Sequence, residues 1–159
     1  MLKRQADAQT SLLTALALNE NHDDARATLA KCLLTTKNYS GAQAHLRKVL
    51  ERNPNHVEAI MTLASHYTET DQTEKAEYLL LAAIARRPLN CELRVTLANT
   101  YNQNGKYERA AEILATASAI HPEDLTLKCA LSLAMAATNR YDSALKILKQ
   151  ASRAPKRLA

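Results

Sequence analysis

The chain has 159 residues, of which 47% are hydrophobic and 23% charged, with a formal net charge of +5. This balance favours one compact domain or one short repeat array and excludes a disordered polyelectrolyte. The chain contains no Phe, no Trp, two Gly and four Pro. Long β-rich stretches with tight turns are therefore not expected.

The sequence repeats itself every 34 residues. The tripeptide Thr-Leu-Ala begins at Thr28, Thr62 and Thr96. Three further columns keep this spacing: Ala8, Ala42, Ala76, Ala110 and Ala144; Leu12, Leu46, Leu80, Leu114 and Leu148; and Pro54, Pro88 and Pro122. A fixed period of this length predicts a helical repeat array. The prolines set its boundaries: 1–22 as the second helix of a partial repeat, then units 23–56, 57–90, 91–124 and 125–159.

Each full unit is predicted to form two helices, which gives about nine helices in chain order. In 57–90 the apolar stripe of the first helix has helical spacing: Ile60, Leu63, Ala64 and Tyr67. Asp71, three residues before Glu74, predicts the N-terminal cap of the second helix. Pro88 ends that helix. Since the array begins on half a unit, we expect the chain to be a fragment of a larger protein, or another domain to supply the missing helix.

The unit 91–124 carries a family pattern at nine positions: Leu97, Ala98, Tyr101, Gly105, Tyr107, Ala110, Leu114, Ala117 and Pro122. This pattern resembles the tetratricopeptide repeat (TPR) family, and the resemblance covers essentially the whole chain. It implies an all-α fold, a right-handed superhelix (α-solenoid) of TPR helix-turn-helix hairpins. The sequence departs from the pattern where Arg26 and Arg94 replace a bulky first-helix residue. The RNA-binding pentatricopeptide repeats, with a period near 35, would slip out of register over this chain.

The resemblance implies a protein–protein interaction module, an adaptor or scaffold that binds an extended peptide or helix in a concave groove. The first helix of each unit lines that groove. The residues expected there are Asp24, Ala27, Thr28, Lys31, Met61, Thr62, Ser65, Val95, Thr96, Asn99 and Gln103. The threonine hydroxyls could bond a peptide backbone, or threonine could simply be tolerated on an exposed helix face. The alternative function is the substrate-recognition arm of a larger transferase or similar enzyme, with its catalytic domain outside this sequence.

Some TPR domains hold the C-terminal carboxylate of a chaperone tail in a clamp of Lys, Arg and Asn side chains. The matching positions here are Ala27, Lys31, Thr62, Glu92 and Thr96. They lack the clamp's pattern, and the Glu92 carboxylate would repel a tail. We therefore expect no chaperone-tail clamp.

Charge is distributed unevenly along the repeats. Residues 125–159 contain seven basic residues and one acidic residue, whereas 57–90 and 91–124 each contain five acidic and three basic residues. The basic C-terminal end, which includes Arg153, Lys156 and Arg157, could contact an acidic partner or simply be a solvated end helix. No aromatic residues alternate with these charges, so nucleic acid is not the expected partner.

No catalytic motif, metal-ligand spacing or phosphate-binding loop is present in the sequence. We therefore expect no enzyme activity, no metal and no cofactor. Three widely spaced cysteines, Cys32, Cys91 and Cys129, favour a reducing compartment and hence the cytoplasm. No apolar stretch approaches the roughly 20 residues of a membrane span. Unmatched helix faces at the two ends could support end-to-end self-association.

Overall fold

The computed structural model describes the backbone of residues 2–152 and the side chains of residues 7–152. The basic residues Arg153, Lys156 and Arg157 lie outside the described residues. Within residues 2–152 the chain forms nine α-helices and no strands: α1 (Leu2–Leu18), α2 (Asp23–Thr35), α3 (Tyr39–Arg52), α4 (Val57–Glu69), α5 (Thr73–Arg86), α6 (Cys91–Gln103), α7 (Tyr107–Ile120), α8 (Leu125–Ala137) and α9 (Tyr141–Ser152). The predicted all-α fold class is confirmed.

The chain divides into two compact units, Met1–Gln72 and Thr73–Ala159. The first unit contains α1 to α4: α1 packs on α2, α2 on both α3 and α4, and α3 on α4. The second contains α5 to α9, and each of its helices packs on the next. The division falls between α4 and α5, inside the segment 57–90 that the repeat period marks out.

The repeated alanine and leucine columns form the core of these helices. Ala42, Ala76 and Ala110 have no exposed surface, and the leucines four positions later are at most 2% exposed. In the first helices Ala30, Ala64 and Ala98 are also fully buried. A methyl group fits these sites because neighbouring backbones approach closely there, and a larger side chain would have to displace them.

One column of polar residues caps the first helix of each repeat. The side chains of His22, His56, Asn90 and Asp124 accept hydrogen bonds from backbone N–H groups in the first turns of α2, α4, α6 and α8. These N–H groups have no partner inside the helix, so the caps stabilise the four starts. The sequence analysis did not identify this column.

A second column ends the same helices in the left-handed backbone region. Lys37, Asp71, Gly105 and Asn139 have φ angles of 60°, 59°, 70° and 59°. The prediction that Asp71 caps the following helix was wrong. Asp71 closes α4, where the N–H of the next residue, Gln72, donates to the carbonyl of Tyr67 at 2.7 Å.

The two arginines that depart from the family pattern are buried and hydrogen-bonded. Arg26 is 9% exposed; its Nη2 donates to the Glu20 carbonyl and its Nη1 to His45 Nδ1 at 3.4 Å. Arg94 is 7% exposed and donates to the Asn90 carbonyl at 3.2 Å. Each guanidinium therefore bonds to a backbone carbonyl of the preceding loop.

Candidate functional site

The first unit contains an open cleft of about 440 Å³ between α2 and α4. Four of the predicted groove residues line it: Lys31, Met61, Thr62 and Ser65. Five lining residues were not predicted: Leu34, Thr35, Glu58, His66 and Glu69. The cleft therefore combines a half-buried apolar wall with charged and hydroxyl side chains.

Two polar contacts connect α2 to α4 and its N-cap. Lys31 Nζ lies 2.9 Å from Glu58 Oε1, and His56 Nε2 lies 3.0 Å from Asp24 Oδ1. Because His56 Nδ1 accepts from the Ala59 N–H, its proton is on Nε2, which donates to Asp24. The Lys31–Glu58 pair is exposed at both ends, so it adds little stability and can exchange with a ligand.

Two of the three threonines in the column donate their hydroxyl protons within their own helices. Thr28 Oγ1 donates to the Asp24 carbonyl at 2.8 Å, and Thr96 Oγ1 donates to the Glu92 carbonyl at 2.9 Å. Thr62 and Thr96 are only 6% and 8% exposed. Bonding back to the preceding turn is common for threonine in a helix. The hydroxyls of Thr28 and Thr96 can therefore accept a hydrogen bond from a ligand but have no free proton to donate.

The other predicted residues of the first unit differ in accessibility. Ala27 has no exposed surface, so it shapes the packing behind the cleft and presents nothing to a ligand. Met61 is half-buried, and Asp24 and Ser65 are exposed. Helical spacing assigns these residues to one face of each helix, but the neighbouring helices decide how much of each is exposed.

In the second unit, the predicted residues Val95, Thr96, Asn99 and Gln103 all belong to α6. Asn99 and Gln103 are exposed, and Val95 is half-buried. The α6 face thus offers two amides next to an apolar side chain.

His66 is a buried polar residue in the wall of the cleft that the sequence analysis did not single out. It is 2% exposed, and its ring stacks on Tyr39 with 5.2 Å between ring centroids. Its Nε2 lies 3.0 Å from Gln43 Nε2, whereas its Nδ1 has no hydrogen-bond partner within residues 7–152. The only sequence signal was its position between Ala64 and Tyr67, two residues of the predicted apolar stripe.

Within the side chains that the structure describes, no group of three or more His, Cys, Asp or Glu could hold a metal ion. None of the described helices combines the length and apolar character needed to cross a bilayer. The three cysteines are free, and Cys129 is exposed. Burial raises the pKa of the Cys91 thiol.

Several solved structures resemble this chain in fold. The structure "MamA 41-end from Desulfovibrio magneticus RS-1" superposes with a TM-score of 0.72 at 20% sequence identity, covering 95% of this chain and 86% of that one. "Crystal structure of MamA protein" gives a TM-score of 0.71 at 21% identity, with coverages of 99% and 90%. At these identities the likeness shows the fold alone. No curated protein matches the sequence.

Family comparison supports the same fold. A tetratricopeptide repeat model matches residues 33–90 and 101–157, and a second tetratricopeptide repeat model matches residues 79–112. The first model alone covers more than half of the chain. The resemblance inferred from the repeat columns is confirmed, and the chain belongs to the tetratricopeptide repeat family.

Proposed function

We propose that this chain is an adaptor or scaffold module that binds an extended peptide or a partner helix along α2 and α4. Tetratricopeptide repeats are protein-interaction scaffolds, and the observation that carries the proposal is the cleft itself. Leu34 and Met61 offer apolar surface, while Lys31, Ser65 and Glu69 offer polar groups beside it. Small numbers of polar groups around an apolar wall are typical of sites that orient a ligand.

The side chains of the cleft are suited to contact with a polypeptide. The hydroxyl of Ser65 and the exchangeable Lys31–Glu58 pair can bond a backbone or a side chain without rearrangement of the helices. A chaperone-tail clamp is not proposed, because Ala27 is buried and the Glu58 and Glu69 carboxylates that line the cleft would repel a tail carboxylate. The exposed amides of α6 extend the proposal to a second surface, in the other compact unit.

Two arginine substitutions in the cleft test this function. Met61→Arg and Ser65→Arg should both abolish recovery of partner proteins in a pull-down, because a long charged side chain would fill the cleft. Thr62 and Thr96 are unsuitable positions, since both are nearly buried and arginine there would disturb the packing. Ala44→Arg, at an exposed site on α3, serves as the matched control. Recovery of the same partners by all variants would refute the proposal.

A second candidate function is self-association through the outer face of α9. Leu46, Leu80 and Leu114 are at most 2% exposed, whereas Leu148 in the same column is 41% exposed. Leu145 beside it is 53% exposed. Adjacent exposed leucines favour contact with another protein surface, and we propose that a second copy supplies it. We also propose a reducing compartment such as the cytoplasm, supported by the three free thiols.

A further inference from the structure

We infer that the cleft between α2 and α4 selects peptides that carry a lysine or arginine side chain next to an apolar one. This inference rests on the proposed function and adds the chemistry of the ligand. Two features of the cleft support it: an unpaired carboxylate at one end and apolar surface beside it.

The helices α2 and α4 run in the same direction. His56, at the start of α4, contacts Asp24 at the start of α2, and the last residues of both helices, Thr35 and Glu69, line the same cleft. The C-terminal ends of both helices therefore meet there. Each helix end contributes a partial negative charge from its last carbonyl groups, which favours a cation.

The Glu69 carboxylate strengthens this negative end. It is exposed and has no hydrogen-bond or ion-pair partner within residues 7–152. The other two charged groups of the cleft neutralise each other, since Lys31 Nζ lies 2.9 Å from Glu58. A ligand cation beside Glu69 would gain a charge-assisted hydrogen bond without first displacing an existing partner.

The apolar part of the site adjoins this carboxylate. Leu34, one residue before the end of α2, and Met61 on α4 are both half-buried and line the cleft. An aliphatic ligand side chain here would cover apolar surface on both helices. Methionine adapts to ligand side chains of different shapes, so the site specifies apolar character more than one residue type.

The first step of the test uses peptide ligands whose sequence is not chosen in advance. Short random peptides displayed on phage are selected against the full chain. The inference expects Lys or Arg to be enriched beside Leu, Ile or Met in the selected peptides. A selected peptide is then synthesised with a fluorescent label, and its affinity is measured by anisotropy for the wild type and for Glu69→Gln, Met61→Arg and Glu51→Gln.

Glu69→Gln should weaken binding about two- to fivefold, because the charge-assisted contact with an exposed carboxylate is lost while the side-chain shape is kept. Glu51→Gln, at an exposed site on α3 outside the cleft, should bind as the wild type does. Met61→Arg should abolish binding. Circular dichroism of each variant establishes that the helices remain folded.

The outcomes separate the inference from the function on which it rests. Peptides that bind the wild type and Glu69→Gln with the same affinity, but do not bind Met61→Arg, would overturn the inference. The cleft would then still be a peptide site. The same holds if basic residues are not enriched. Peptides that bind Met61→Arg as well as the wild type would overturn the proposed function itself. Occupation of the cleft by a second copy of the chain, seen as self-association that Met61→Arg removes, would replace the separate peptide as occupant.

Discussion

Single residues at the helix ends store backbone strain in this chain. Lys37, Asp71 and Asn139 adopt left-handed φ angles near 60°, whereas the matching position in the third repeat is Gly105. Asn and Asp tolerate this region because their short side chains bond locally, but lysine has no such compensation. Lys37 is therefore the most strained of the four positions.

We expect Lys37→Gly to stabilise the protein by roughly 0.5–1 kcal/mol, because glycine relieves the left-handed strain at a modest cost in unfolded-chain entropy. Urea unfolding followed by circular dichroism measures the change. Lys48→Gly is the control: it lies inside α3 with an ordinary helical backbone and should lose about 1 kcal/mol. Destabilisation by both substitutions would contradict the assignment of strain to Lys37.

Acid should weaken the first unit through His45. Burial lowers the pKa of His45, and the nearby charges of Arg26 and Lys48 lower it further. Because the imidazole is more readily protonated in the unfolded chain, its contribution is fully present above the unfolded pKa of 6.5. That contribution is lost as the pH falls below this value and through the lower pKa of the folded state.

Urea unfolding at about pH 7.5 and about pH 5.5 measures this loss in the wild type and in His45→Gln. Glutamine can still accept from Arg26 but does not titrate, so the variant should lose less stability on acidification. Equal losses in the two proteins would show that other groups carry the pH dependence.

At the scale of elements, the same leucine column is covered in α7 and uncovered in α9. Leu114 is 2% exposed and Leu148 is 41% exposed. Since burial of the side chain decides the cost of truncation, two substitutions of identical chemistry should differ widely.

We expect Leu114→Ala to destabilise the protein by about 2–5 kcal/mol, and Leu148→Ala to cost roughly half of that or less. Thermal and urea unfolding of the two variants provide the comparison. Equal losses would mean that the outer face of α9 is covered in solution, which would itself support the second candidate function.

For the whole molecule, the exposed leucines of α9 predict an average mass that rises with concentration. Light scattering across a dilution series measures it. Leu145→Glu should return the protein to a monomer, because a carboxylate cannot be buried in an apolar contact. Leu89→Glu, at a loop position that is 71% exposed, should leave the association unchanged. A constant monomer mass for the wild type would remove this candidate.

The repeat period alone predicted most of the helical framework. Helices α2, α4, α6 and α8 begin at Asp23, Val57, Cys91 and Leu125, each 34 residues after the last. The Ala42 and Leu46 columns were expected in the core, and they are buried in α3, α5 and α7, whereas Ala8 in α1 and Leu148 in α9 are exposed. Such positions are predictable because helical spacing determines which residues share a face, and alanine and leucine favour both the helix and the core.

The groove was harder to predict from spacing. Ala27 occupies a face that spacing assigns to the groove, yet it is fully buried. One of the two interpretations of the threonine column had its hydroxyls bond a peptide backbone, but Thr28 and Thr96 donate to carbonyls of their own helices. Exposure and hydrogen bonding depend on how closely a neighbouring element approaches and on which acceptor is nearest. A periodic sequence pattern specifies neither how closely the neighbouring element approaches nor where the nearest acceptor lies.

The sequence by itself determined that this is an array of paired helices, because a period of 34 residues with small and apolar columns allows the chain few other ways to bury its surface. Only the tertiary structure decided which side chains surround the cleft. Glu69 shares the cleft with Thr35, 34 positions earlier in the chain, and His66 contacts Gln43, 23 positions earlier. Their surroundings and exposure come from packing between helices, which brings distant parts of the chain together and follows no period in the sequence.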